Sequence, residues 1–400
     1  MIPFKELAQT YGTPLYVYDF DAMRAQFESL KEAFRGRKSI LAYAVKANSN
    51  LSVVKHFASL GSGADCVSIG EVRRALMAGV PKYRVIFSGV GKRDDEIREA
   101  IESDILYINL ESEAELERVE MIAQELNTKA RISIRVNPNI DPKTHPYIST
   151  GLHDNKFGVE ITAAKRMYIR AKNSPYLDSV GIHFHIGSQL TELEPIYEAA
   201  VIVADLLRSL SAINIELKFF DIGGGLGVRY KEETTIEPYA YAQAVLAALK
   251  GIDVTVICEP GRFLTANAGY FLTKVLYEKQ NGQKRFVVVD GAMNDLIRPS
   301  LYNAYHRIES LGNEGEASAV DVVGPVCESG DFLAKNYPLP PLEHNDLLVV
   351  HSAGAYGFGM GSNYNTRGRS AEVALENGVH RLIRRRESFD DLIALEREYL

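Results

Sequence analysis

Lys46 lies in SILAYAVKANS, where strict alternation puts Ala42, Ala44 and Lys46 on one face and Leu41, Tyr43 and Val45 on the other. Small residues beneath a lysine leave room around the amine. An amine withdrawn from water loses its proton more easily and becomes a nucleophile able to form a Schiff base. The plainer alternative is a structural lysine whose stem packs on the strand while the ammonium reaches solvent. A second set of residues suits an anion. Asp221-Ile222-Gly223-Gly224-Gly225-Leu226-Gly227 lets backbone N–H groups converge without Cβ obstruction, and Glu259-Pro260-Gly261-Arg262 adds a guanidinium. A dinucleotide fingerprint is excluded, because G-x-G-x-x-G needs glycine at 228 or 230, where Val228 and Tyr230 stand. A tight turn with no ligand remains the alternative for the glycine run taken alone.

A nucleophilic lysine and a phosphate cradle together suggest pyridoxal 5'-phosphate, an aldehyde that carries a phosphate. His183 and His185, two apart in GIHFHIGSQ, share a strand face. They could bind zinc through H-x-H, but few further ligands stand at the strand ends, so no metal is expected. Stacking of an imidazole on a flat ring suits the pair better. His185 is the candidate for this and His183 a satisfied core histidine. Ser188 could donate to phosphate. Glu259 beside a pyridine nitrogen would keep that nitrogen protonated and the ring electron-poor; alone, it could equally be a salt-bridge partner.

These residues need a scaffold that gathers strand ends. From residue 38 to 262 short apolar runs alternate with amphipathic ones: SILAYAVKANS, ADCVSIG, RVIFSG, LYINLES, ARISIRVNP, SVGIHFHIG, KFFDIGGG and TVICEPGR. Helical periodicity fills the gaps, as at Asn50–Leu60, Glu71–Ala78, Glu113–Leu126 and Ile196–Leu210. Eight such units predict an α/β fold, a (β/α)8 barrel of the TIM type over residues 25–264, with a doubly wound sheet as the alternative. Barrel active sites lie at the C-terminal strand ends, often with a phosphate site after strands seven and eight, where the glycine run and EPGR fall. After Arg262, YFLTKVLYEKQ, RFVVVDGAM, AVDVVGPV and DLLVVHSAG read as strands, the first two joined at Asn281-Gly282. Helix is expected only near Pro299–Leu311 and at the last residues. Residues 265–400 therefore form a mainly β domain, which the early strand PLYVYD within residues 1–24 can join.

At 400 residues, with 46% hydrophobic and 24% charged residues, the composition is that of a globular protein of two domains. A net charge of −7 argues against a nucleic-acid or anionic-membrane surface. The start, MIPFKELAQT, has no secretory pattern and no stretch suits a membrane helix. Three cysteines form neither a paired framework nor C-x-x-C spacing, so a cytoplasmic location is expected.

The segments YAVKANSN, GIHFHIGSQL, FFDIGGGLGV, CEPGRFL, GAMNDLIRPSLYNAYH, VVGPVCESGDFLAKN, HSAGAYGFGMGSNYNTRGRSAEV and IRRRESFDDLIALE, in that order, resemble the fold-type III decarboxylases, whose barrel is of the alanine-racemase type. Within that group, MNDLIRPSLY and GPVCESGDFLAK are most similar to the diaminopimelate decarboxylases. The resemblance implies a pyridoxal-phosphate lyase that converts meso-2,6-diaminopimelate to L-lysine and CO2, the last step of lysine biosynthesis. It implies that Lys46 bonds the cofactor and Cys327 protonates the carbanion. It places Asp65, His185, Ser188, Gly224, Gly225, Glu259, Gly261, Arg262 and Tyr356 around the cofactor. Arg262, Arg298, Tyr302 and Tyr356 would hold the substrate, with Glu328 reading its far end. It further implies a homodimer in which the CESGD loop reaches into the partner's site. Rivals are a decarboxylase of the same fold acting on ornithine, arginine or carboxynorspermidine, a non-catalytic cofactor carrier, and a zinc hydrolase.

Overall fold

The computed structural model describes residues 2–141, 150 and 156–400. The chain divides into two units, Arg24–Val228 with Thr234–Phe263, and Met1–Met23 with Arg229–Glu233 and Leu264–Leu400. Strand β1 (Leu15–Asp19) belongs to the latter. The former is built on β2 (Ser39–Ala44), β3 (Gly63–Cys66), β4 (Val85–Phe87), β5 (Tyr107–Leu110), β6 (Ala130–Arg135), β7 (Leu177–His183), β8 (Phe219–Asp221) and β9 (Thr255–Cys258). These eight pair in parallel, and the contacts Ser39↔Val256, Ile40↔Ile257 and Leu41↔Cys258 between β2 and β9 close them into a barrel. Each overlaps one of the eight runs expected, and closure rules out the doubly wound alternative, which would leave two sheet edges.

The strands form because they are covered on both faces. Every residue of β3, β4 and β5 is buried, as parallel strands beneath helices require. Ala42, Ile86, Leu106, Tyr107, Val180 and Ile257 make one buried cluster from five sides of the barrel. Three of the intervening helices start at side-chain caps. Asn50, Ser68 and Ser112 accept the N–H groups of Ser52, Glu71 and Glu115 at the heads of helices Leu51–Ser59, Ile69–Met77 and Glu113–Glu125.

Two strands stop earlier than alternation predicts. β2 ends at Ala44, and Lys46 sits in a single 3-10 turn, Val45–Ala47. β7 ends at His183, so His183 and His185 do not share a strand face: His183 is buried and His185 half-buried.

The other unit is a nine-stranded sheet completed by β10 (Gly269–Asn281), β11 (Lys284–Val289), β12 (Ile308–Ser310), β13 (Ser318–Val323), β14 (Phe332–Leu339), β15 (Leu347–Val350), β16 (Ala371–Glu376) and β17 (Val379–Arg384). Strand β1 does join it, antiparallel to β10 and parallel to β16. Leu7, Leu15, Val17, Leu272, Val349, Ala371 and Val373 form a core there. The expected helix over Pro299–Leu311 is only Arg298–Tyr302. Asn303, at φ 51°, turns the chain left-handed, and β12 follows instead. β14, β16 and β17 were not foreseen. Pro338 and the left-handed Asn336 hide β14 from a strand reading, whereas Asn377-Gly378, with φ 51° and 76°, is a hairpin signal between β16 and β17.

Candidate active site

Carboxylates, histidines and the lysine meet at the C-terminal strand ends of the barrel. Lys46 Nζ stands 3.6 Å from Asp65 Oδ2, with the lysine side chain 38% exposed and the aspartate 1%. The amine is thus less withdrawn from water than strand alternation implied, because the 3-10 turn swings it out of the strand, and its setting is governed by a buried carboxylate. Asp65, the third residue of β3, is pushed up to about 6 by burial and by Glu259, against the opposing pull of Lys46 and His183.

Glu259 follows β9. Burial works to raise its pKa, but the neighbouring His183 and then Lys46 outweigh it and hold the carboxyl down at about 2. His183 Nε2 is 3.3 Å from Glu259 Oε2. Among the described residues neither ring nitrogen of His183 has a hydrogen-bond partner, and neither does Glu259 Oε1 or Asp65 Oδ1. His183, expected to be a core histidine, is buried in this cluster beside Glu259. Asp221, at the end of β8, accepts from Tyr107 Oη at 2.8 Å and from the Gly223 N–H at 3.0 Å. Burial and the neighbouring Glu259 push it well above the usual carboxylate range. His183, Asp221 and Glu259 each offer a ligand atom within 4.8 Å of the others.

His185 lies just past β7. Its Nδ1 accepts the Gly224 N–H at 3.2 Å, so the hydrogen of the neutral ring sits on Nε2. Burial first, then Lys46 and Arg135, hold its pKa well below the usual histidine range, and the ring is neutral. The glycine run is packed against the loop that carries it. Leu190 N–H donates to Gly225 O at 2.8 Å, and Glu259 N–H donates to Gly223 O at 2.7 Å. At Gly225, with φ +119°, a Cβ would come within 2.6 Å of Gly187 O, and one at Gly224 would strike the Glu259 carbonyl. The glycines are thus required by backbone packing whether or not an anion binds. Beside them Arg262, buried, donates from Nε and Nη2 to Ser188 Oγ at 3.3 and 3.0 Å. At Gly261 a Cβ would come within 3.1 Å of Ala44 and Ala47.

Three further residues, at the two ends of β5 and at the end of β6, escaped the sequence reading. Arg135, ending β6, pairs with buried Glu111 at 3.2 Å and reaches the His185 carbonyl at 3.4 Å, while Tyr107 anchors Asp221. A charged or phenolic residue within an otherwise apolar barrel strand was the signal available.

The remaining candidates stand in the β-rich unit. Arg298 is buried at the start of helix Arg298–Tyr302, its guanidinium 5.0 Å from the ring of Tyr230 and 5.8 Å from that of Tyr302. Cys327 and Glu328 are exposed on the loop between β13 and β14. That loop is braced by Asp331, which accepts from Val326 N–H at 2.8 Å and Met293 N–H at 2.7 Å, and by Ser300 Oγ, which donates to Gly330 O at 2.6 Å. Asn365 Oδ1 accepts the Cys327 N–H at 2.8 Å. Tyr356 is half-buried, with φ +56°.

Pyridoxal phosphate fits the barrel residues. A buried, ionised Glu259 with one oxygen unpartnered among the described residues suits a protonated ring nitrogen, and the Ser188–Arg262 pair beside the glycine cradle suits a phosphate. Residues 20–266 match the family described as "Pyridoxal-dependent decarboxylase, pyridoxal binding domain", the class that such a barrel mouth defines. The chain is 62% identical over 398 residues to the diaminopimelate decarboxylase of Campylobacter jejuni, covering 99% of each chain. It is 47% identical to that of Aquifex aeolicus, covering 98% of this chain and 93% of the relative. The crystal structure of the Helicobacter pylori diaminopimelate decarboxylase complexed with L-lysine superposes with a TM-score of 0.97 at 55% identity, covering 99% of this chain and 100% of that one. A lysine/ornithine decarboxylase from Vibrio vulnificus complexed with cadaverine gives 0.83 at 25% identity, covering 93% and 97%. The chain belongs to the diaminopimelate decarboxylase family.

Proposed function

We propose that the protein decarboxylates meso-2,6-diaminopimelate to L-lysine and CO2, the last step of lysine biosynthesis, with pyridoxal 5'-phosphate as cofactor. The observation that carries this is Lys46 Nζ at 3.6 Å from buried Asp65, at the strand ends that also bear Glu259 and the glycine cradle. Identity of 62% over 99% of both chains to a relative named for this reaction supplies the substrate. When bound, pyridoxal phosphate supplies an aldehyde for an amine and an electron-poor ring that accepts the electron pair released at Cα.

In this reading Lys46 supplies the amine, and Asp65 holds it in place. Glu259 would keep a proton on the ring nitrogen, His185 would flank the ring, and Gly224, Gly225, Ser188, Gly261, Arg262 and Tyr356 would bind the phosphate. Arg262, Arg298, Tyr302 and Tyr356 would hold and orient the substrate. Glu328 pairs with the distal ammonium, a contact whose loss leaves an unpaired charge and so discriminates between substrates. Cys327 delivers a proton from Sγ to Cα. The exposed Cys327 and Glu328 accord with a homodimer in which this loop completes the partner's site. Three free cysteines accord with a cytoplasmic location; among the described residues no helix is long and apolar enough to cross a membrane.

Carbon-dioxide release from meso-diaminopimelate, with and without added pyridoxal phosphate, tests the reading. Release that depends on the cofactor is expected, with ornithine and arginine turned over far more slowly. Equal release from ornithine would contradict it. Cys327→Ala is expected to lower turnover by roughly a hundredfold or more while cofactor absorbance is retained; unchanged turnover would remove Cys327 as proton donor.

A further inference from the structure

The β-rich unit buries a histidine that the proposed chemistry does not use. His306 is 1% exposed and follows helix Arg298–Tyr302 by four residues. Its Nδ1 lies 2.9 Å from the carbonyl oxygen of His351. A carbonyl oxygen can only accept, so the hydrogen of the ring is on Nδ1. Nε2 is then left with its lone pair, and Arg298 Nε donates to it at 3.4 Å. Tyr230 packs edge-on against the imidazole, with centroids 5.6 Å apart and the planes at 82°, and the same Tyr230 ring faces the Arg298 guanidinium at 5.0 Å. One histidine, locked in one tautomer by a backbone carbonyl, thus fixes the inner edge of the guanidinium, while Tyr230 fixes its plane. A ring that bonded to solvent or lay on the surface could not transmit that orientation.

We propose that His306 is a positioning residue for substrate binding: as the Nδ1–H tautomer it accepts from Arg298 Nε and aims the guanidinium at a substrate carboxylate. This rests on the reading that Arg298 holds that carboxylate. His306 acts on the substrate through Arg298, so its removal changes substrate affinity and leaves the chemical step intact.

Two conservative variants separate positioning from bulk structure. His306→Gln places a carbonyl oxygen near the position of Nε2, whereas His306→Asn keeps an amide near Nδ1 but does not reach Arg298. Steady-state CO2 release by the holoenzymes with meso-diaminopimelate is measured, and each variant is checked by cofactor absorbance and thermal melting. His306→Asn is expected to raise KM roughly ten- to a hundredfold, the weight of a hydrogen bond to a charged group. Its kcat, and the KM of His306→Gln, stay within about threefold of the parent. Arg298→Lys is expected to raise KM, and adding His306→Asn in that background raises it no further. Should His306→Asn not yield holoenzyme, His306→Met, which also offers no strong acceptor in place of Nε2, gives the same reading. A parental KM in the Asn variant overturns the proposal, as does an equal effect of Asn and Gln, or an undiminished effect in the Arg298→Lys background. A parental KM in Arg298→Lys alone instead overturns the carboxylate role of Arg298, and the positioning role falls with it.

Discussion

At the scale of single residues, the barrel mouth is an exercise in separating like charges. Asp65, Asp221 and Glu259 are all buried, and three carboxylates so close cannot all ionise cheaply. His183 and Lys46 favour Glu259, which is held at about 2, and its charge in turn helps to push Asp65 to about 6 and Asp221 upward. The charge is thus concentrated on the residue proposed to face the cofactor ring. A consequence for stability follows from Asp65. Its folded pKa of about 6 lies above the unfolded value of about 4, so the folded state binds the extra proton between those values. The associated stabilisation is present at low pH and is lost as pH rises through about 6. Urea unfolding of the apoprotein at pH 5 and pH 7 checks this. Asp65→Asn is expected to gain stability relative to the parent between the two, and a pH-independent difference would contradict the assignment.

Among the elements, helix Arg298–Tyr302 is short and depends on its ends. Asn303, with φ 51° and ψ 34°, closes it by donating its N–H to the Arg298 carbonyl. Asn303→Ala places a Cβ-bearing residue with no local hydrogen-bonding side chain in the left-handed region and is expected to cost about 1 kcal/mol, measured by denaturant unfolding, whereas Asn303→Gly is expected to be nearly neutral. Equal losses in the two would show that the side chain, not the backbone angle, closes the helix. The same helix shows where the sequence was legible and where it was not. The eight barrel strands could be read because each is a short, largely buried apolar run between amphipathic helices. The length of helix Arg298–Tyr302 could not, because one left-handed Asn outweighed an apolar pattern continuing to Leu311. Alternation failed at Lys46 and His185 for a related reason: both lie past the last paired residue of their strands, where a period of two no longer applies. Chemistry was easier to see than geometry. Lys46, Glu259, Arg262 and the glycine run announce themselves by type, but the supporting Tyr107, Glu111 and Arg135 acquire meaning only once β5 and β6 bring them beside β7 and β8.

Considered as a whole molecule, the chain distributes its candidate residues over two units, with the amine and cofactor cradle on the barrel and the cysteine loop on the sheet. The proposed homodimer makes a definite prediction. Lys46→Ala and Cys327→Ala enzymes, each nearly inactive, are mixed and allowed to exchange subunits; if each site takes its lysine from one protomer and its cysteine from the other, roughly a quarter of the sites are restored. No recovery after demonstrated exchange would place both residues of a site on one protomer. The proposed chemistry depends most on the amine at position 46. The most direct measurement is borohydride reduction of the holoenzyme followed by peptide mass mapping. The account predicts that the reduced cofactor is fixed to the peptide containing Lys46 and to no other lysine; an unmodified Lys46, or cofactor trapped elsewhere, would contradict it.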